Sequence, residues 1–242
     1  MATLFHVSDI HFGAEDPAAI AWFTTIVHAE QPDAVVVTGD LTMRARHAEF
    51  AAATAWLEEL RRPVTVEVGN HDLPYFNPVA RFLQPYARYG RLERMIERPL
   101  EIAGVAIVPL RTTTRFQLRL NWSKGHISDA ELGLTLEQLA AAPSDRFSIV
   151  AGHHPLIEAG TRGTAHTRGG ADALHRLAAA GVRAVLSGHV HDPFDQAVIV
   201  GGETIRLIGA GTLSQRIRST PPSFNELRIE DDAIAVTVRE MR

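Results

Sequence analysis

The chain contains no cysteine. Disulfides, iron–sulfur clusters, thiolate zinc sites and cysteine nucleophiles are therefore excluded, and the absence fits a reducing compartment. No apolar run reaches the ~18 residues of a membrane span. The N-terminus reads Met1-Ala-Thr-Leu-Phe-His-Val-Ser-Asp9, with neither a basic n-region nor a long apolar h-region. A signal peptide is not expected, and a soluble, cytoplasmic protein without a membrane partner is. Positive charge is in short supply overall: 24 Lys and Arg face 28 Asp and Glu, a formal net charge of −4. That balance gives no global reason to expect a long nucleic acid as partner. Repeats and low-complexity linkers are also missing, so the 242 residues are expected to form one domain, 1–242. With 45% hydrophobic and 21% charged residues the chain is not disordered, collagenous or a coiled coil. What stands out instead is histidine, with 12 residues.

Short apolar runs alternate with helix-like stretches along the first two thirds. Strands are expected at Leu4–Val7, Ala34–Val37, Val64–Val68, Ile102–Leu110, Phe147–Val150 and Ala184–Leu186. Helices are expected at Pro17–Glu30, at His47–Leu60 with Phe50, Trp56, Leu57 and Leu60 as its buried stripe, and at Gly169–Ala180. A further helix, Ser128–Ala141, carries the signature of a Ser128 cap with Glu131 three residues on. Residues 77–98 read as largely helical. The last fifty residues hold strands alone, at Ala197–Val200, Thr204–Ile208, Asn225–Ile229 and Ala233–Val238. This is an α/β pattern with a parallel sheet, followed by a β meander that forms a second sheet or an antiparallel extension of the first.

Five of the strands end alike. They lead into Asp9-Ile10-His11, Gly39-Asp40, Gly69-Asn70-His71-Asp72, Gly152-His153-His154 and Gly188-His189-Val190-His191. The carboxyl ends of parallel strands share one edge of a sheet, where ligands bind. Asp9, His11, Asp40, Asn70, His71, His153, His189 and His191 are thus expected to converge on one crevice. Their donors are nitrogen and oxygen without sulfur, which favours Mn²⁺, Fe²⁺/³⁺, Zn²⁺ or Co²⁺. So many donors suit two ions better than one, with a carboxylate bridging two cations that otherwise repel. Asp40, alone at its strand end, is the expected bridge. Such a centre stays cationic and draws an anionic substrate, for which phosphate esters are the natural class. Metal coordination lowers the pKa of water from 15.7 to about 7, so a bridging hydroxide is the expected nucleophile. His71 is assigned to the leaving group as general acid, with Asp72 orienting its ring.

These five blocks, in this order over residues 9–191, resemble the signature of the calcineurin-like metallophosphoesterases. The resemblance implies a four-layer αββα sandwich with a dinuclear centre. It places one metal on Asp9, His11, Asp40 and His191, and the other on Asp40, Asn70, His153 and His189. Manganese or iron is expected in both sites, with zinc as an option. Within the superfamily the chain is similar to small bacterial class III cyclic-nucleotide phosphodiesterases and their glycerophosphodiester-hydrolysing relatives. Gly39-Asp40-Leu41-Thr42 and the Gly211-Thr212…Ser223-Phe224-Asn225 segment add to that likeness. It implies a small phosphodiester substrate, with a 3′,5′-cyclic nucleotide first and a broad-specificity, glycerophosphodiester or nucleotide-pyrophosphate hydrolase as the alternative. The sequence after Asp72, Leu73-Pro74-Tyr75-Phe76, departs from the polar residue and arginine usual in those enzymes.

Arg115, Tyr75 and His154 are the candidate substrate-binding residues. His154 follows His153 directly, and side-chain alternation turns it away from the metals. Trp122 and His126 share the basic segment of Arg115. Gly160–Gly170 reads as a flexible basic loop and a candidate lid, and Arg216 and Arg218 are further candidates for phosphate contacts. His6, His28, His47 and His175 lack motif context and are expected to be structural or surface residues. Oligomeric state is left open, a homodimer being one option.

Overall fold

The computed structural model describes residues 1–74, 83, 90–114 and 123–242. Tyr75, Arg115, Trp122 and most of the 77–98 segment therefore lie outside the described residues. The elements are β1 (Ala2–Val7), α1 (Pro17–Glu30), β2 (Ala34–Val37), α2 (His47–Glu59), β3 (Val64–Val66), a 3₁₀ turn (Gly90–Arg94), β4 (Leu100–Ile102) and β5 (Val105–Pro109). There follow α3 (Asp129–Ala141), β6 (Phe147–Ala151), α4 (Gly170–Ala179) and β7 to β11 (Ala184–Ser187, Phe194–Val200, Glu203–Gly209, Ser223–Glu230 and Ala233–Glu240). The single strand expected over 102–110 is a hairpin, β4 pairing antiparallel with β5.

Two sheets form. One has the order β11-β10-β1-β2-β3 and the other β4-β5-β6-β7-β9-β8. β1, β2 and β3 run parallel, as do β5, β6, β7 and β9. The terminal strands do not make one unit: β8 and β9 join the second sheet, while β10 pairs antiparallel with β1 and carries β11.

Alternation along each strand supplies a separate apolar layer to each face. Leu4, Ala34 and Val36 of the first sheet pack with Ile107, Ile149, Leu186 and Ile208 of the second, forming the layer between sheets. Their neighbours Phe5, Val7, Val35 and Val37 face outward onto Phe23 of α1 and Phe50, Trp56 and Leu57 of α2. Val150, Val185 and Leu207 pack likewise against Leu132 of α3 and Leu174 and Leu177 of α4. The result is the expected αββα sandwich. Aromatics close the first outer layer, with the Phe224 ring 4.9 Å from those of both Phe5 and Phe23.

Helix starts follow the sequence signals. Asp16 accepts from the Ala18 and Ala19 amides with Pro17 at the first helical position, and Ser128 accepts from the Glu131 amide. His6 is buried and bonds to Thr38 Oγ1 and Asn225, tying β1 to the exit of β2 and to β10. Burial pushes its pKa down to about 3, so the ring is neutral. Glu67, just past β3, is buried with neither carboxylate oxygen hydrogen-bonded. Burial first and the Glu97 charge second push its carboxyl well above the usual range, partly opposed by Arg111.

Candidate metal centre

The exits of β1, β2, β3, β6 and β7 meet at one end of the sandwich, where the two sheets abut. Five of the expected ligands, Asp9, His11, Asp40, His189 and His191, adopt left-handed backbone conformations with φ between 52° and 69°. Such conformations cost roughly 1–3 kcal/mol each in non-glycine residues and collect at functional sites. Each turns the chain sharply as it leaves its strand. Gly188 allows the two sheets to meet there, since a Cβ at this position would lie 1.7 Å from Ser8 Oγ and 2.6 Å from Asp9 Oδ2.

Asp9 Oδ1 lies 3.1 Å from His191 Nε2 and 3.7 Å from His11 Nε2, and those two ring nitrogens are 3.3 Å apart. Asp40 occupies the centre. Its Oδ2 lies 3.3 Å from His153 Nε2 and 3.9 Å from His11 Nε2, while its Oδ1 accepts from the His71 amide at 2.8 Å. Asn70 Oδ1 is 3.2 Å from His153 Nε2. His189 donates its amide to Asp9 Oδ2 at 2.8 Å, and its ring stands beside that of His153.

The outer nitrogens of these rings are fixed by main-chain carbonyls. His153 Nδ1 donates to Thr38 O (2.7 Å), His191 Nδ1 to Arg216 O (2.8 Å) and His11 Nδ1 to Thr42 O (3.4 Å). That leaves each Nε2 as a lone-pair donor aimed inward, the arrangement that orients metal-binding imidazoles. Asp9 Oδ1 is buried with no hydrogen-bond partner. A buried carboxylate oxygen left unpaired is costly unless something positive meets it. Clustered Asp9, His11 and His191, and Asp9, Asp40 and His153, can each hold a cation, so the donor set fits metal ions. The two carboxylates draw positive charge into the pocket, and a proton competes with a cation for the His153 ring. Burial opposes charge on His153, but Asp40 and Asp9 outweigh it and push the ring up to about 9. His191 is likewise raised against burial by Asp9. His11 is pushed down to about 4, burial outweighing both carboxylates. Asp9 and Asp40 are held well below the usual carboxylate range, burial being overcome by the imidazoles.

His71 sits at the rim. Its Nδ1 donates to Met43 O at 2.8 Å, and its Nε2 accepts from Arg216 Nη1 at 3.2 Å. Among the described residues Asp72 does not orient this ring, contrary to expectation. Its carboxylate turns inward and accepts from the Leu41, Thr42 and Gly69 amides and the Thr42 hydroxyl. Burial and the nearby Asp40 push the Asp72 pKa up to about 6 despite those bonds. His154 is buried with both ring nitrogens engaged, Nδ1 with Thr112 Oγ1 and Nε2 with Ser123 O, each at 2.9 Å. Burial pushes its pKa down to about 3. The 160–170 loop is pinned rather than hanging free as a lid: Lys124 Nζ bonds to Thr164, Glu158 accepts the Ala165 and His166 amides, and Thr167 donates to Pro155 O. Arg111 pairs with Glu97 and Glu131. Arg216 enters the site, which the sequence signalled only as a cation in a late loop.

An αββα sandwich whose strand ends gather imidazole, carboxylate and amide donors defines a metal-binding α/β class. The chain belongs to the calcineurin-like phosphoesterase family, whose model matches residues 2–193. It is 27% identical over 166 residues to a probable cyclic nucleotide phosphodiesterase of Rhodopseudomonas palustris, covering 64% of this chain and 58% of that protein. It is also 27% identical over 179 residues to a glycerophosphodiester phosphodiesterase of Enterobacter lignolyticus, covering 65% and 58%. The matched stretches thus span a little over half the length of these two relatives. A dimetal phosphatase from Danio rerio shares the fold, with a TM-score of 0.73 at 13% identity over 99% of this chain and 96% of that one. Among the described residues no helix is long and apolar enough to cross a membrane.

Proposed function

We propose that this chain is a dinuclear-metal-dependent phosphodiesterase acting on a small phosphodiester. The observation that carries this reading is the position of Asp40. One carboxylate oxygen faces both His11 and His153, which belong to the two halves of the donor set. Asp9, His11, Asp40 and His191 would hold one ion, and Asp40, Asn70, His153 and His189 the other. Manganese or iron, with zinc as an option, would supply Lewis acidity and water acidified to about pKa 7.

The chain's own residues then do the rest. The Met43 carbonyl fixes His71 Nδ1, so Nε2 faces the cleft and can hold the proton that the departing alkoxide needs. Arg216, beside that nitrogen, would bind a phosphoryl oxygen once the cleft is filled. Asp72 acts through the backbone, holding the turn that presents Asn70 and His71. His154 acts as a positioning residue through Ser123, rather than as a direct substrate contact. Arg115 and Tyr75 remain proposed substrate contacts.

Cyclic nucleotides and glycerophosphodiesters, the substrates in the relatives' names, are the first to test. Mn²⁺-reconstituted protein should be assayed with 3′,5′-cyclic AMP, bis-p-nitrophenyl phosphate, p-nitrophenyl phosphate and a glycerophosphodiester. Diester cleavage that disappears with chelation and returns with Mn²⁺ is expected. A kcat/KM for cyclic AMP well above that for the artificial diester would assign the pocket to cyclic nucleotides. No diester cleavage with two equivalents of metal bound would overturn the reading.

A further inference from the structure

The cleft that opens onto the donor set, lined by Asp40, Asn70, His189 and His191 among others, holds about 300 Å³, the low end of small-ligand sites. Among its described lining residues the charged groups are unequal in sign. Lys124, Arg162, Arg216 and Arg218 line it against a single carboxylate, Asp40. Lys124 is the only lysine of the chain. Among the described residues no ion pair involves Arg162, Arg216 or Arg218, and Arg216 faces only the imidazoles of His11 and His71 and the Met43 sulfur. The stretches 75–82, 84–89 and 115–122 contain no Asp or Glu, so they bring no carboxylate to balance these cations.

The placement is built into the backbone. A Cβ at Gly163 would lie 2.9 Å from the Val190 Cα, so this glycine lets the loop close onto the turn that carries His189 and His191. Lys124 ties down the same loop from the other side through Thr164. Arg162 is thereby held over the metal ligands although its side chain is exposed. Arg218 stands two residues beyond Arg216, also exposed. The net charge of −4 for the whole chain makes this concentration of cations a local feature of the cleft.

A cyclic nucleotide or a plain diester carries one negative charge, on the phosphate that is cleaved. The metal centre and Arg216 already answer it, which leaves Arg162 and Arg218 facing the rest of the substrate, with Lys124 holding the Arg162 loop through Thr164. We infer that the substrate carries a second phosphate group beyond the scissile diester, seated on Arg162 and Arg218. This rests on the phosphodiesterase reading and replaces a cyclic nucleotide by a more highly charged diester. The second phosphate can be adjacent to the first, as in a pyrophosphate linkage, or separated from it by a sugar.

The test pairs turnover with binding, on the Mn²⁺-loaded protein. The p-nitrophenyl ester of thymidine 5′-phosphate is compared with the same ester bearing a 3′-phosphate. Calorimetry then compares thymidine 5′-monophosphate, 5′-diphosphate and 3′,5′-bisphosphate. At least one two-phosphate ligand should bind about tenfold or more tightly than the monophosphate, the order expected of added charge-assisted hydrogen bonds. Whichever ligand gains reports the spacing of the phosphates, and a 3′-phosphate gain should reappear in kcat/KM. The exposed substitutions Arg162→Gln and Arg218→Gln, made together, should erase the preference. Equal affinity for all three ligands, or a preference that survives the double substitution, would overturn the inference. Failure to cleave either ester would instead sink the phosphodiesterase reading, while calorimetry still decides the second-phosphate site.

Discussion

Asp40 Oδ2 is the atom on which the two halves of the donor set depend, so Asp40→Ala should lose both ions, and metal analysis of the purified variant should read well under one equivalent. His71 steadies Asp40 through its main-chain amide, which an alanine keeps, while among the described residues its side chain bonds only to Met43 O and Arg216. His71→Ala should therefore keep its metal while turnover falls by about 10²–10⁴-fold, most steeply for esters with poor leaving groups. Loss of metal with an unchanged rate per bound ion would refute that division of roles. Glu67 offers a test at neutral pH away from the ligands. A folded-state pKa raised by burial and Glu97 means stability is greatest below the unfolded value of 4.5 and declines as pH rises toward the folded pKa. Glu67→Gln should thus raise Tm at pH 8, by about 2–4 °C per kcal/mol at this chain length, and leave it nearly unchanged at pH 4. At this scale the ligands were legible because each follows its strand within a few residues. The partner of Asp72 was not, because it belongs to the loop after β2, some thirty positions away. The left-handed conformations of Asp9 and His191 were equally hidden, since nothing in either residue type demands them.

Elements were readable wherever their signal was local. The Ser128 cap, Pro17 at the head of α1 and the alternation of Val35 and Val36 all rest on neighbours in sequence. Sheet membership was not readable for β8 to β11. Pairing of β1 with β10 joins Phe5 to Glu226, and no periodicity within either strand specifies a partner so distant. The hairpin of β4 and β5 was missed for a different reason, an unbroken apolar run across its tight turn. The meeting of β1 and β7 gives the prediction proper to this scale. Gly188→Ala forces a methyl group against Ser8 and Asp9, so the exits of the two sheets must part. Overpacking of this kind costs about 1–3 kcal/mol, measurable by denaturant unfolding, and metal content should fall in parallel. A variant with full stability and full metal content would show that the two strand exits are free to separate.

For the molecule as a whole, the ions would act as cross-links between two sheets whose inner layer is apolar. Asp9, Asp40 and Asn70 come from the first sheet, and His153, His189 and His191 from the second. Chelation should therefore lower Tm, and free metal at a hundred times Kd should restore about 2.7 kcal/mol per site. A Tm indifferent to chelator would mean that the sandwich is held by packing alone. The pairing of β1 with β10 also fixes when this can happen in a growing chain. Asp9 is made about 200 residues before Thr212, whose hydroxyl holds its main-chain carbonyl at 2.6 Å, and before β10, which completes its strand edge. At about 5–20 residues per second, translation takes roughly 10–40 s to travel from one to the other. Until then the donors are made but the β1 exit that carries Asp9 and His11 lacks its later support, so metallation is expected only once β10 has emerged and paired with β1.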